Sequence, residues 1–378
     1  AALGLARAGR SVAVFEQAPE LGEVGAGLSL PPNATKILAR LGLGEPIAAL
    51  ADTPDRGLIR NGKSGAVLSD TPFAEPMREA FGAPYYQMLR PRLHELLVQA
   101  LEEAAPGAVR LGAEVLGVDV QADRAVLRLA GDETVGAAAV IGADGVRSKL
   151  REDLFGRQPA RFTGYVAWRA TVDMAALPDS LGASQSVVWV GEGRQFVHYP
   201  IDQGRKLNVV AFAGGQTWDV ESWTEPADPA ELQATFAGWS DEVGAVLAAI
   251  APAQCFKWAL FDREPLARWT QGRVALLGDA AHPMLPFLGQ GAAMAIEDAY
   301  VLANLLSQNG SVFEALAGYE VARAERAAWV LLESRAAGAR FQAQGSSQKT
   351  FDNDQAMRMN VLFSPEPDSL TSGWRAPA

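Results

Sequence analysis

Gly278-Asp279-Ala280-Ala281-His282-Pro283 puts a carboxylate at the tip of a turn that directly follows a strand-like run, Arg273-Val274-Ala275-Leu276-Leu277. The chain then passes through Met284-Leu285-Pro286-Phe287-Leu288-Gly289-Gln290-Gly291 into an Ala-rich helix carrying Glu297-Asp298-Ala299. Strand, acidic turn, Gly/Pro-rich loop and helix N-terminus in succession suit a polyol and an electron-rich ring held against backbone N–H groups. Asp279 is placed to accept hydrogen bonds from the polyol. Pro286, Gly289, Gln290 and Gly291 lie in that loop and helix start.

Other residues extend this chemistry. Glu16 closes the buried strand Ser11-Val12-Ala13-Val14-Phe15 of what reads as a βαβ nucleotide unit. An acidic residue there hydrogen-bonds a ribose hydroxyl, about 20 residues after a glycine-rich phosphate turn. The alternative is a solvated Glu at a strand end. Asp144, in Gly142-Ala143-Asp144-Gly145-Val146-Arg147-Ser148, follows a short buried strand; it reads either as a ligand contact or as a helix cap with Ser148. Arg90 precedes the helix begun at Pro91. Gln195-Phe196-Val197-His198-Tyr199-Pro200 is an alternating stretch, so Gln195 and Tyr199 share one sheet face and His198 points to the other. Only a bulge would turn His198 inward as a base. Arg169, beside Trp168, reads either as a partner for a carboxylate or as a member of a structural ion pair.

The elements that position these residues follow from periodicity. Residues 1–10 read as the second half of a helix stopped near Gly9. Pro31-Pro32-Asn33 opens a helix to about Leu41, and another starts near Pro91. Residues 52–85 read as loop-rich. Stretches near 113–120 and 125–130 read as a hairpin. From 161 to 260 alternation with aromatics predicts a largely antiparallel sheet, interrupted by a helix containing Trp239. Two helices follow at roughly 291–307 and 312–343. The expected division is a discontinuous nucleotide-binding domain of 1–55, 83–160 and 260–345, a substrate domain of 56–82 and 161–259, and a polar, poorly ordered tail of 346–378.

Composition excludes other classes. The 378 residues carry a net charge of −11 and no Lys/Arg run, which argues against a nucleic-acid partner. One cysteine, Cys255, permits no internal disulfide and fits a cytoplasmic protein. Three histidines, His94, His198 and His282, lack zinc-type spacing. No apolar run is long enough for a membrane span.

Several of these strings together resemble the single-component FAD-dependent aromatic hydroxylases, closest to their salicylate hydroxylase and 3-hydroxybenzoate 6-hydroxylase branch. They are Gly278–Gly291, Gly142–Arg151, Gly25-Ala26-Gly27 with Pro31-Pro32-Asn33-Ala34, Asn208-Val209-Val210-Ala211-Phe212, and Glu297-Asp298-Ala299-Tyr300. The resemblance runs from Ala1 to about Arg326. It implies the para-hydroxybenzoate hydroxylase fold, an α/β protein whose Rossmann-like FAD-binding domain is interleaved with a substrate domain on an antiparallel sheet. It implies FAD contacts at Glu16, Gly27, Arg90, Asp144, Asp279, Pro286, Gly289, Gln290 and Gly291. It also implies a Gly-x-Gly-x-x-Gly turn just before Ala1, so the natural N-terminus is expected upstream.

The implied activity is hydroxylation of a small aromatic substrate by O2, with NADH or NADPH as reductant and a flavin C4a-hydroperoxide as oxygen donor, in a monomer or homodimer. Gln195, Tyr199 and Pro286, with His198 only if turned inward, are the implied catalytic positions. Gln195, Tyr199 and Arg169 are the candidate substrate contacts. Several relatives have a His where this chain has Gln195, and Gln cannot act as a base at neutral pH. That departure leaves open an ionised substrate, a non-phenolic heterocycle or an epoxidation. A non-catalytic flavin-fold protein that binds a ligand is the third alternative.

Overall fold

A computed structural model describes residues 1–22, 27–178, 181, 184–215, 225–308, 310–342 and 348–375. Its dominant element is an eight-stranded sheet. The strands lie in the order Glu225–Pro226, Phe256–Asp262, Arg161–Asp173, Lys206–Gly214, Arg194–Ile201, Gln185–Gly191, Arg56–Asn61 and Val67–Pro72. All neighbours are antiparallel except Gln185–Gly191 with Arg56–Asn61.

Alternation along these strands separates two faces. Trp168, Trp189, Phe196, Leu207 and Val209 pack outward, beneath the helices Pro229–Thr235 and Asp241–Ala248. Asp228 and Ser240 cap those helices through the Ala230 and Val243 amides, as their side-chain oxygens suit them to do. Trp239 sits between the two helices rather than within one, its ring against Phe236 at 4.9 Å.

The nucleotide side is built from short parallel pairs. Val14–Phe15 pairs with Val109–Arg110, and Val140–Gly142 with Val274–Leu276. The hairpin Val115–Val120 and Ala125–Leu129 gains a third strand, Thr134–Ala137. The helices Gly291–Gln308 and Val312–Gln342 bury Val301, Leu302, Leu316 and Tyr319 against this part. Among the described residues no helix is long and apolar enough to cross a membrane.

Two stretches differ from the sequence expectation. Residues 52–85 hold two strands of the large sheet and a helix, Glu75–Phe81. Their apolar pattern is hidden because Gly57 stands where the Phe73 ring packs, so a side chain there would meet that ring at 2.6 Å. The final segment, expected as a poorly ordered tail, forms the helix Gln348–Phe363 and the turn Pro367–Ser372. Leu362, Phe363 and Leu370 are buried. The Phe363 ring meets Phe81 at 5.4 Å, a tertiary contact that local composition does not reveal.

Candidate active site

The acidic turn is held from behind. Gly278 has φ +62° and donates its amide to Asp298 at 3.1 Å, with Ala295 close to where a side chain would stand. Only glycine meets both demands. Asp279 is exposed at the tip. Buried Arg151 donates to the carbonyls of Asp279, Ala280 and Val146 at 3.3, 2.9 and 2.6 Å. It therefore joins the Asp144-Gly145 turn to the Asp279 turn. The Asp144 carboxylate accepts from the Ser148 hydroxyl at 2.5 Å and the Leu150 amide at 3.1 Å. Ser148 is the cap of the helix that follows, accepting from the Arg151 amide at 2.9 Å, and Asp144 supports it.

The loop after the turn ends at Gly289, φ +62°, with no atom within 4 Å of where its side chain would stand. Gly291 opens an 18-residue helix, and the nearest atom to its missing side chain is at 4.0 Å. The first amides of such a helix have no partner within the helix and carry its positive dipole end. Open space in front of the helix start fits the electron-rich edge of a flavin ring. An exposed carboxylate on the preceding turn fits its ribityl hydroxyls.

Beneath this loop lies a buried ionic cluster. Glu297 and Asp298 are both fully buried and meet Arg323 at 2.6 and 2.8 Å. Arg326 forks onto both Glu297 oxygens at 2.8 Å. Asn33 donates to Glu297 at 2.7 Å and to Gln290 at 3.2 Å. His282 meets Asp298 at 2.5 Å and Trp269 ring to ring at 5.0 Å, which makes it a structural residue. Burial raises the Asp298 carboxyl, but His282 and Arg323 outweigh it and hold the group down at about 2.

Strand pairing brings more of the expected residues together. Gly27 pairs with Leu89, so Arg90, first residue of the helix Arg90–Ala104, lies beside it. The Gly27 amide donates to Asn208 at 2.8 Å. A side chain at Gly27 would stand 2.7 Å from Asn208 and 2.8 Å from Tyr199. Gly25 and Ala26 lie outside the described residues. Glu16 ends the strand Val14–Phe15, and its carboxylate accepts from the Ala18 amide at 2.8 Å.

The inner face of the large sheet meets the loop directly. Gln195 is level with Phe212 and Ala167, Val197 with Val210 and Arg169, and Tyr199 with Asn208 and Thr171. Phe287, next to Pro286, packs on Phe212 at 5.1 Å and Tyr165 at 6.4 Å. A small recess there is lined by Gln195, Tyr165, Phe212, Phe287 and Gly338. Gln195 is 5% exposed, and its Oε1 has no hydrogen-bond partner among the described residues. Arg169 lies over the Phe256 ring at 5.3 Å and the Trp258 ring at 6.0 Å. Burial and nearby Tyr85 push the Tyr199 phenol well above its ordinary range, so it stays protonated.

His198 is corrected. The strand Arg194–Ile201 keeps continuous register with both neighbours, with no bulge. His198 therefore faces the outer core, 6.1 Å from the Phe196 ring and 6.3 Å from Trp189. A ring on the far side of the sheet cannot serve as the base.

The functional neighbourhood holds residues that sequence reasoning missed: Arg151, Asn33, Arg323, Arg326, Phe287, Ser334 and Gly338. Ser334 donates to the Leu285 carbonyl at 2.5 Å. A side chain at Gly338 would meet Phe287 at 2.6 Å. A glycine inside a 31-residue helix costs about 1 kcal/mol relative to alanine, which was a signal that another ring packs there.

The fold and loop define a flavoprotein of the hydroxylase type. The chain belongs to the FAD binding domain family, which matches residues 1–334. It is 39% identical over 349 residues to the 3-amino-4-hydroxybenzoate 2-monooxygenase of Streptomyces platensis, covering 92% of this chain and 87% of that one. It is 37% identical over 336 residues to 3-hydroxybenzoate 6-hydroxylase 1 of Aquipseudomonas alcaligenes, covering 89% and 84%. A solved salicylate hydroxylase substrate complex superposes with a TM-score of 0.84 at 27% identity, covering 100% of this chain and 95% of that one. The chain is an FAD-dependent aromatic monooxygenase.

Asp279→Ala is expected to raise the FAD dissociation constant roughly 10- to 100-fold, the worth of a hydrogen bond to a charged group. Flavin fluorescence titration reads it. An unchanged constant would remove Asp279 from the site.

Proposed function

We propose that this enzyme hydroxylates a carboxylated phenolic ring of the hydroxybenzoate type. The ring would lie on the inner sheet face between Gln195 and Tyr199, against the Pro286–Gly291 loop. The observation that carries the reading is the contact of Phe287 with Phe212 and Tyr165, beside buried Gln195. It joins the loop that would hold the flavin ring to a sheet face bearing polar groups at two levels. Gln195 and Tyr199 are four residues apart, or ~13 Å along the strand. That span suits a ring substituted at opposite ends, with a hydrogen bond at each.

FAD would be held by Asp279 and the Gln290 and Gly291 amides and, once reduced by NADH or NADPH, would supply activated O2. The protein's part is to orient and to exclude water. Glu16, Gly27, Arg90 and Asp144 complete the proposed cofactor set. The need for NAD(P)H supports a cytoplasmic location. Gln195 does not titrate, and Tyr199 holds its proton. Neither removes a proton at neutral pH, so the ring must already be electron-rich, through an ionised hydroxyl or an added amino group. The 3-amino-4-hydroxybenzoate named for one relative is of that kind.

Arg169 is proposed to pair with the substrate carboxylate. Arg169→Met is expected to raise KM for a carboxylated substrate by roughly 30-fold or more, with little change for the decarboxylated phenol. The test is a panel of hydroxybenzoates, aminohydroxybenzoates, simple phenols and hydroxypyridines. One measures NAD(P)H oxidation stimulated by each compound and then hydroxylated product. Product from hydroxypyridines alone would replace the phenolic reading with the heterocyclic one. Equal KM changes with and without the carboxylate would remove Arg169 from the site.

A further inference from the structure

We propose that residues 348–375 form a clasp that positions the flavin-ring end of the site, with Arg326 as the positioning residue that links the two. This rests on the reading that Gln290 and Gly291 face the flavin.

The helix Gln348–Phe363 ends on two buried cations. Lys36 donates to the carbonyls of Phe363, Ser364 and Pro365 at 3.1, 3.3 and 3.4 Å, and pairs with Glu366 at 2.8 Å. Arg326 donates to the carbonyls of Val361 and Leu362 at 3.1 and 2.9 Å. The last carbonyls of a helix lack partners within it and carry its negative dipole end. Both cations therefore stabilise the docked segment. Arg326 is fully buried, so without the segment some of its N–H groups would lose their acceptors.

The same guanidinium forks onto Glu297 at 2.8 Å through both Nε and Nη2. Glu297 accepts from Asn33 at 2.7 Å, and Asn33 donates to Gln290 at 3.2 Å. Gln290 supplies the first helical acceptor, to the Met294 amide at 2.9 Å. Asn33 and Lys36 stand one turn apart on the helix Pro32–Arg40, so a single rigid element touches both ends of the chain of contacts. Packing follows the same line. Met284 of the loop and Met294 of the helix share a cluster with Leu362 and Phe363. Docking of the C-terminal helix thus fixes the loop and helix start together.

The test uses the full chain loaded with FAD. Lys36→Met removes the clasp's anchor and leaves in place the side chains that donate to Glu297. Amide exchange at residues 361–364 is expected to quicken. The FAD dissociation constant is expected to rise about tenfold, and the visible circular dichroism of the bound flavin to change. Lys36→Arg should restore most of both flavin readouts. Arg326→Lys keeps the charge but loses the fork, and should reproduce the flavin effects. Unchanged exchange in Lys36→Met would show that Lys36 does not hold the segment, and overturn the clasp. Faster exchange with unchanged FAD affinity and dichroism would also overturn it, as would Arg326→Lys with unchanged flavin readouts. Gly291→Val, which crowds the helix start without touching the clasp, separates the underlying reading. If it leaves FAD binding unchanged, the flavin loop itself is misplaced. If it weakens FAD binding and the clasp variants do not, only the clasp fails.

Discussion

Glu297→Ala should destabilise the protein by about 3–5 kcal/mol, the usual result of removing one partner from a buried ion pair. Glu297 is fully buried and accepts from Asn33, Arg323 and Arg326. Its removal leaves Arg326 with the carbonyls of Val361 and Leu362 and the Trp374 ring, but no anionic partner among the described residues, and leaves Arg323 with Asp298. The cost arises from the charge left behind, more than from the attraction lost. A domain's whole stability is about 5–15 kcal/mol, so the loss is a large part of it. Urea unfolding of the purified variant reads it directly. Glu297→Leu combined with Arg326→Met should lose less than the two single changes added together, because the pair leaves as a unit. A Glu297→Ala variant within ~1 kcal/mol of the parent would contradict the cluster's burial.

The two halves of the site were unequally legible. The turn at Asp279, the Gly289–Gly291 helix start and the alternation of Gln195 with Tyr199 are local features. Turn chemistry and strand periodicity reveal them within a few residues. The same alternation already placed His198 on the far face, and the unbroken register keeps it there. What joins these pieces is not local. Arg151 reaches Ala280 across 129 positions, and Asn33 reaches Glu297 across 264. In sequence such residues look like surface charges and amides. One trace was available. Arg323 and Arg326 fall among the buried Tyr319, Ala322, Ala327 and Val330 of their helix. Charges within an apolar stripe imply buried partners. The C-terminal helix was missed for a related reason: its last turn docks through Leu362, Phe363 and bonds to Lys36 and Arg326, far upstream.

Below about pH 6.5 the protein should lose stability in proportion to the burial of one residue, His198. The ring is 2% exposed, and both its nitrogens lack hydrogen-bond partners among the described residues. Burial lowers its pKa from the usual 6.5 to about 3, with a smaller contribution from the Arg60 cation. Arg60 lies over the Trp189 ring at 4.4 Å and pairs with Glu242 at 2.5 Å on that same side of the sheet. Between the two pKa values the unfolded chain binds a proton on this His that the folded chain does not. Stability therefore rises with pH through that window, and falls as pH drops from 6.5 towards 3. The slope for one group is about 1.4 kcal/mol per pH unit, or ~2 kcal/mol between pH 6.5 and 5. His198→Leu removes the titrating group and two unpartnered polar atoms. An apolar side chain of similar size is expected to be neutral or slightly stabilising at pH 7.5. Urea unfolding at pH 7.5, 6 and 5 should show the parent weakening faster than the variant. The variant's pH–rate profile should match the parent's, because the ring packs in the outer core beside Phe196 and Trp189. An acid limb in that profile that vanishes with His198→Leu would return the ring to the pocket and make it the base.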